Sequence, residues 1–261
     1  MPDKDDAALL AAISDLARHA GGAIMAVYAK AFAVTKKQDS SPVTEADHAA
    51  EAIIVKGLRA LTPAVPVVAE EEMAAGTTPN FTGDAYWLVD PLDGTKEFVK
   101  KNGEFTVNIA LIRARRPVLG VVFAPAPDLL WRGRLGHGAQ RIAQGGAPTA
   151  IAARLPLGRG LTVFASRSHA TWKDHELEDF LSQHTIAERL QTGSSMKFCR
   201  LAEGAGDLYP RFGPTMEWDT AAGQAVLEAA GGAVETPEGK AFLYGKPGFK
   251  NGHFIAWGRR A

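Results

Sequence analysis

One cysteine in 261 residues, Cys199, removes two chemistries: no internal disulfide can form, and no zinc site can be built from thiolates. It lies in Met196-Lys197-Phe198-Cys199-Arg200-Leu201, which reads as a helix beginning, and a buried, inert thiol is expected there. Neither sign of charge is in excess, with 29 Lys+Arg against 29 Asp+Glu. A general nucleic-acid or anionic-membrane surface needs a cationic surplus, so neither is expected. A small phosphorylated substrate stays open, since it needs only a few local cations. No stretch approaches the roughly 20 apolar residues that span a bilayer. The opening Met1-Pro2-Asp3-Lys4-Asp5-Asp6 is acidic and leads into no apolar signal core, which points to a cytoplasmic protein. Repeats and low-complexity segments are also missing. What is present is 46% hydrophobic residues, enough for a sizeable core in one large domain or in two lobes that share an interface.

The apolar pattern gives the organisation. Leu9, Ile13, Leu16, Ala20, Ile24 and Val27 recur at helical spacing and predict an amphipathic helix over residues 5–31, loosened at Gly21-Gly22. A polar loop follows over 36–42, and Thr44-Glu45-Ala46-Asp47 then opens a second helix with its acids at the end the helix dipole favours. Runs at 105–112 and 118–123 predict antiparallel strands joined by a turn, and runs at 129–135 and 139–142 flank Gly136-His137-Gly138. That Gly-His-Gly reads as a β-turn, because no G-K-[ST] follows it. Pro- and Gly-containing sequence over 145–160 divides an α+β lobe (1–155) from an α/β lobe (156–261). In the second lobe strands are expected at 161–165 and 186–191, and helices at 172–183, 196–203 and 220–230.

The richest stretch is Asp90-Pro91-Leu92-Asp93-Gly94-Thr95. Two carboxylates three residues apart leave the apolar run 86–89, and Pro91 stiffens the exit so that both can aim at one point. Oxygen ligands of this kind suit Mg²⁺. Gly94 permits a sharp turn in which main-chain N–H groups approach an anion, and Thr95 opens a helical turn whose free N–H groups attract phosphate. An Asp/Gly-rich turn with a capping threonine would read the same way in isolation. Glu70-Glu71-Glu72 sits at a second strand end, however, and Trp218-Asp219-Thr220-Ala221-Ala222-Gly223 places a further aspartate at a helix start, where a plain cap is the alternative.

Together these segments resemble the inositol monophosphatase superfamily of Mg²⁺-dependent, Li⁺-sensitive phosphatases, whose signatures D-P-[LI]-D-G-T-x-x-F, closed here by Phe98, and W-D-x-A-[AG] are both complete. The likeness runs from about Pro42 to Phe254. Within the superfamily it is nearest to the 3'(2'),5'-bisphosphate nucleotidases of the CysQ type, through Thr95-Lys96-Glu97-Phe98, the run 102–108, Ser166-Arg167-Ser168-His169 and the run 209–215.

The resemblance implies a layered αβαβα sandwich with the active site between the lobes. It also implies two Mg²⁺ ions: Glu70, Asp90 and the Leu92 carbonyl on the first, and Asp90, Asp93 and Asp219 on the second. Glu71 is left open between a neighbour of a third, weaker metal and a solvated loop charge. The implied reaction is hydrolysis of the 3'-phosphate of adenosine 3',5'-bisphosphate to AMP by metal-activated water, with the 5'-phosphosulfate analogue as a further substrate and a role in sulfur metabolism. Asp47 and Thr95 match the activating pair, and Glu70 joins them in the catalytic set; for Asp47 a helix-capping acid is the alternative. Leu92, Asp93, Gly94, Thr95 and Asp219 would border the reacting phosphate. Ser166, His169, Gly193 and Lys197 match nucleotide-contacting positions. Arg211 is open between supporting the second phosphate and bracing its loop, and His169 between a contact and an ordinary surface histidine.

No D-x-D-x-[TV] motif is present, so no covalent phosphoenzyme is expected. Two other readings remain: a relative acting on inositol monophosphate or a sugar bisphosphate, and a non-catalytic, metal-dependent nucleotide sensor, although no catalytic acid is missing. Family likeness also leaves room for peripheral inner-membrane association.

Overall fold

A computed structural model describes residues 2–30, 34–36, 42–77, 79, 84–156, 158, 160–166 and 175–260. Helix α1 (Pro2–Tyr28) runs unbroken through Gly21-Gly22. The expected loosening does not occur: a Cβ on Gly21 would stand 2.4 Å from the Phe123 ring, so the glycine lets α1 close on the sheet instead of opening the helix. The two-residue strands β1 (Thr35–Lys36) and β2 (Pro42–Val43) pair antiparallel. Helix α2 (Glu45–Leu61) starts where the sequence predicts, with the Thr44 hydroxyl accepting from the Ala46 N–H and Asp47 reaching back to the Thr44 N–H.

Strand β3 (Val67–Ala69) leads directly into the one-turn helix α3 (Glu70–Ala74), and β4 (Ala85–Asp93) into α4 (Thr95–Val99). The meander β5 (Thr106–Arg113), β6 (Arg116–Ala124), β7 (Leu129–Arg134), β8 (Gly138–Ala143) and β9 (Thr149–Ile151) completes a seven-stranded sheet in sequence order. Its hairpins are the antiparallel pairs the sequence predicts, and Gly136-His137-Gly138 is the β7–β8 turn. Both faces are covered, which is why these strands read as nearly continuous apolar runs. Val107, Ile109 and Leu111 join the core under α1 and α2, whereas Ala110 and Ile112 belong to the core on the opposite side.

The second sheet has the order β11-β10-β12-β16-β14. Strand β10 (Leu161–Ser166) is followed by α5 (His175–Ser182), β11 (Ile186–Thr192), α6 (Met196–Ala202) and β12 (Leu208–Arg211). Then come β13 (Thr215–Met216), α7 (Glu217–Ala229), β14 (Ala233–Glu235), β15 (Lys250–Asn251) and β16 (Phe254–Trp257). The expected start of α5 at Trp172 lies outside the described residues. Leu181 of α5 packs with Val163, Leu208 and Ile255 on the outer face of this sheet. On the inner face Phe198 of α6 stacks on Phe254, while α7 lies across β5, β6 and β7 of the first sheet. The layers are therefore α1/α2, sheet, α6/α7, sheet, α5, the αβαβα sandwich implied by the resemblance.

Candidate active site

Strands β3 and β4 run parallel with Ala69 opposite Val89, so Glu70 and Asp90 leave neighbouring strands at the same end of the sheet. On its other side β4 pairs with β5, with Asp90 opposite Asn108 and Asp93 opposite Thr106. Three steps along β4 thus match two along β5, and this bulge turns the Pro91-Leu92-Asp93 segment out of the ladder. Asp90 accepts from the Leu92 N–H at 3.0 Å, which fixes the carboxylate against its own turn. Gly94 then takes φ 91°, a left-handed conformation costly for a residue with a Cβ, and α4 begins at Thr95.

The Thr95 hydroxyl has two acceptors in reach, Asp47 Oδ1 at 3.4 Å and the Leu92 carbonyl at 3.2 Å. Asp47 itself is buried, and its Oδ2 accepts from both the N–H (2.9 Å) and the hydroxyl (2.8 Å) of Thr44. The capping reading of Asp47 holds, and its two oxygens are used separately: one caps α2 and the other faces Thr95. Asp219 is also a capping acid, its Oδ2 accepting from the Met216 N–H at 2.8 Å at the start of α7. Behind it the fully buried Glu217 accepts from the Gly245 and Lys246 N–H groups and from the Lys246 ammonium. Glu71 is buried in α3, which removes the solvated-loop reading of that residue.

Electrostatics tie the acids together. Burial pushes Asp93 up to about 6; the Lys197 ammonium and the Ser195 N–H act against that, and the Glu70 and Glu97 charges add to it. Burial likewise raises Asp219 well above the ordinary carboxylate range, with the Asp93 and Glu70 charges adding to it. Glu70, Asp93 and Asp219 thus feel one another, although no three metal-ligating side chains come together at coordination distance among the described residues. These two facts are compatible, because like charges act over longer distances than coordination and, unaided, keep apart. Half-buried carboxylates of one sign, raised first by desolvation and further by one another's charge, fit a hard divalent cation.

The expected specificity residues are placed less uniformly. The Gly193 N–H donates to Glu104 at 2.8 Å, drawing the loop after β11 onto the segment after α4. Lys197 is 4% exposed, and its ammonium donates to the Ser194 carbonyl at 2.6 Å and the Thr192 carbonyl at 3.3 Å while lying over the Tyr209 ring. Burial brings it down to about 8, against the pull of Asp93. Arg211 donates to the Pro214 carbonyl at 3.3 Å within its own loop, a contact compatible with either reading of this residue. Ser166 ends β10, but its side chain and the whole of His169 lie outside the described residues. Cys199 is buried, and burial lifts its thiol well above the ordinary range, as expected of an inert cysteine.

Four supporting residues escape the sequence reading: Glu51, Ser195, Asn108 and Glu217. Only Glu51 carries a usable signal, its position one helical turn after Asp47.

A five-layer fold in which Glu70, Asp93 and Asp219 act on one another's charge and Thr95 is held by Asp47 is that of a class of phosphatases. Within that class the chain belongs to the inositol monophosphatase family, whose profile matches residues 5–257. It is 49% identical over 241 residues to the 3'(2'),5'-bisphosphate nucleotidase CysQ of Escherichia coli (strain K12), covering 90% of this chain and 94% of that protein. The CysQ nucleotidase of Salmonella typhimurium is 48% identical with the same coverage. Among solved structures, CysQ from Bacteroides thetaiotaomicron matches with a TM-score of 0.80 at 36% identity over 98% of both chains. The inositol monophosphatase of Anabaena matches at 0.74 and 25% identity, over 98% of this chain and 92% of that one.

Proposed function

We propose that this protein is a Mg²⁺-dependent 3'(2'),5'-bisphosphate nucleotidase that hydrolyses the 3'-phosphate of adenosine 3',5'-bisphosphate to give AMP, with the 5'-phosphosulfate analogue as its second substrate. The observation that carries the reaction is the Thr95 hydroxyl, held between Asp47 and the Leu92 carbonyl at the end of the strand that bears Asp90 and Asp93. The choice of substrate rests on the likeness to the CysQ nucleotidases across nine-tenths of the chain.

Two Mg²⁺ ions, on Glu70, Asp90 and the Leu92 carbonyl and on Asp90, Asp93 and Asp219, would supply an acidified water and charge stabilisation at the leaving oxygen. The chain's own residues do the rest. Thr95 donates its single proton toward Asp47, which leaves an oxygen lone pair to accept from the attacking water and orient it. Asp47 can serve in this way because its other oxygen is fixed by two donors from Thr44. The N–H groups at the start of α4 face the reacting phosphate, and Gly193, Ser166 and His169 border the nucleotide. Lys197 and Arg211 supply positive charge beside the second phosphate.

On this reading the metal-bearing acids come from a lobe over 1–155 and from Asp219, while the specificity loops come from 156–261. Among the described residues no helix is long and apolar enough to cross a membrane, in keeping with a protein that acts in the cytoplasm on a small diffusible substrate. Phosphate release from adenosine 3',5'-bisphosphate, its 5'-phosphosulfate analogue and inositol 1-phosphate tests the proposal. The bisphosphate should be preferred over inositol 1-phosphate by about a hundredfold or more in kcat/KM, a difference of roughly 3 kcal/mol. Equal use of the two would favour the inositol phosphatase reading.

A further inference from the structure

Helix α3 carries Glu70 and Glu71 on its first turn but has no cap of its own, because its N-cap residue is Ala69. The leading N–H groups of a helix need acceptors, and a helix start without a side-chain cap of its own must find them elsewhere. Here they come from 20 residues earlier in the chain: Glu51 Oε2 accepts from the Glu71 N–H at 2.7 Å, and Oε1 accepts from the Glu72 N–H at 2.9 Å. Glu51 is only 6% exposed. A carboxylate buried that deeply is costly unless donors meet it, and the start of α3 presents two. Glu51 also follows Asp47 by four residues in α2, so the two acids share one face of one helix. Through its two ends that face reaches Thr95 and the turn that bears Glu70.

We infer that Glu51 is a positioning residue for the metal-facing acids: by capping α3 it fixes the direction in which Glu70 leaves the sheet, and it thereby sets the affinity for the ion that Glu70 binds. This rests on the nucleotidase reading only in taking Glu70 as a metal ligand. Residues that hold a ligand in place alter metal affinity when changed, typically by 10- to 100-fold, whereas a purely structural residue lowers stability and leaves affinity alone. Glu51→Gln keeps the shape but offers a single acceptor oxygen to two N–H donors.

The test compares wild type with Glu51→Gln and Glu51→Ala by two readouts, the Mg²⁺ concentration for half-maximal phosphate release and the rise in Tm that Mg²⁺ produces. The expected result is a half-saturating Mg²⁺ raised about 10- to 100-fold, activity that recovers as Mg²⁺ is increased, and a smaller Mg²⁺-induced rise in Tm at fixed concentration. Unchanged half-saturation with an unchanged Mg²⁺-induced rise, on top of a lower Tm, would overturn the inference and leave Glu51 a role in folding only. If a variant is unfolded without Mg²⁺, the concentration that refolds it serves as the readout, and refolding at the wild-type concentration overturns the inference. A wild-type protein whose Tm rises with Mg²⁺ but which releases no phosphate from the bisphosphate would sink the substrate reading, while the Tm comparison would still decide the role of Glu51.

Discussion

The Ser195 main-chain N–H donates to Asp93 Oδ2 at 2.5 Å, joining residues 102 apart in sequence. Asp93 ends a strand of the seven-stranded sheet, and Ser195 opens α6 beneath the five-stranded one. The Ser195 hydroxyl is fully enclosed, 2.8 Å from Thr106 Oγ1 and 2.8 Å from Asn108 Oδ1. Both of these stand opposite the acids, Thr106 across from Asp93 and Asn108 across from Asp90. The loop expected to meet the nucleotide is therefore latched to the strand end expected to meet the metals.

Ser195→Ala removes the hydroxyl from this latch and leaves two buried polar groups short of a partner. A loss of about 1–3 kcal/mol in unfolding free energy is predicted, together with a lower kcat/KM, since the Asp93 contact shifts with the loop. Urea denaturation and steady-state kinetics measure the two effects. Wild-type values in both would show that the latch has no energetic weight.

Asp93→Asn should stabilise the metal-free protein at pH 7 while abolishing its stabilisation by Mg²⁺. The sign follows from the raised pKa. Folding favours the neutral acid, so a penalty grows as pH rises from about 4, the unfolded value, to about 6, the folded one, and persists above it. Asparagine carries no charge and can still accept from Ser195. Thermal melts in EDTA at pH 4 and pH 7 should show the advantage of the variant at pH 7 and its disappearance at pH 4. A variant less stable than wild type at pH 7 would contradict the electrostatic account.

Lys197→Ala should weaken use of a 3',5'-bisphosphate by roughly ten- to a hundredfold more than use of a mononucleotide that bears only the reacting phosphate. The ammonium that would be lost holds the Thr192 and Ser194 carbonyls and carries the positive charge beneath that loop. Equal losses on both substrates would assign Lys197 to holding the loop and Asp93 alone.

How far the sequence could be read depended on whether a feature is carried by side-chain pattern or by main chain. The central strands of the first sheet bury both faces, so Tyr86 to Val89 and Val107 to Ile112 appear as apolar runs. Strand β12 did not, because Pro210 lies within it, and proline argues against a central strand. It is tolerated because β12 meets β10 at the single position Leu208, so Pro210 falls beyond the end of that ladder and pairs only with Ile255. The short strands β14 and β16 offer too few residues for alternation to show. In the site, Asp90, Asp93 and Thr95 stand out as chemical residue types in a fixed spacing, whereas Asp47 and Asp219 read alone as helix-capping acids and take site roles only through the family resemblance. The grip of Ser195 on Asp93 is a main-chain N–H, which any residue could supply, and nothing in the sequence marks it. Lys197 was correctly placed at a helix start, but the direction of its ammonium depends on the turn before it, where Ser194 takes φ 49°.

Asp90→Asn is the most direct test of the central claim, that phosphate release runs through the acids gathered at the end of β4. The substitution removes one charge, keeps the shape and preserves the oxygen that accepts from the Leu92 N–H. At saturating Mg²⁺, kcat/KM for adenosine 3',5'-bisphosphate should fall by about a thousandfold or more, equivalent to roughly 4 kcal/mol of transition-state stabilisation, with Tm in EDTA no lower than that of wild type. Turnover at the wild-type rate by a folded Asp90→Asn protein would contradict the account.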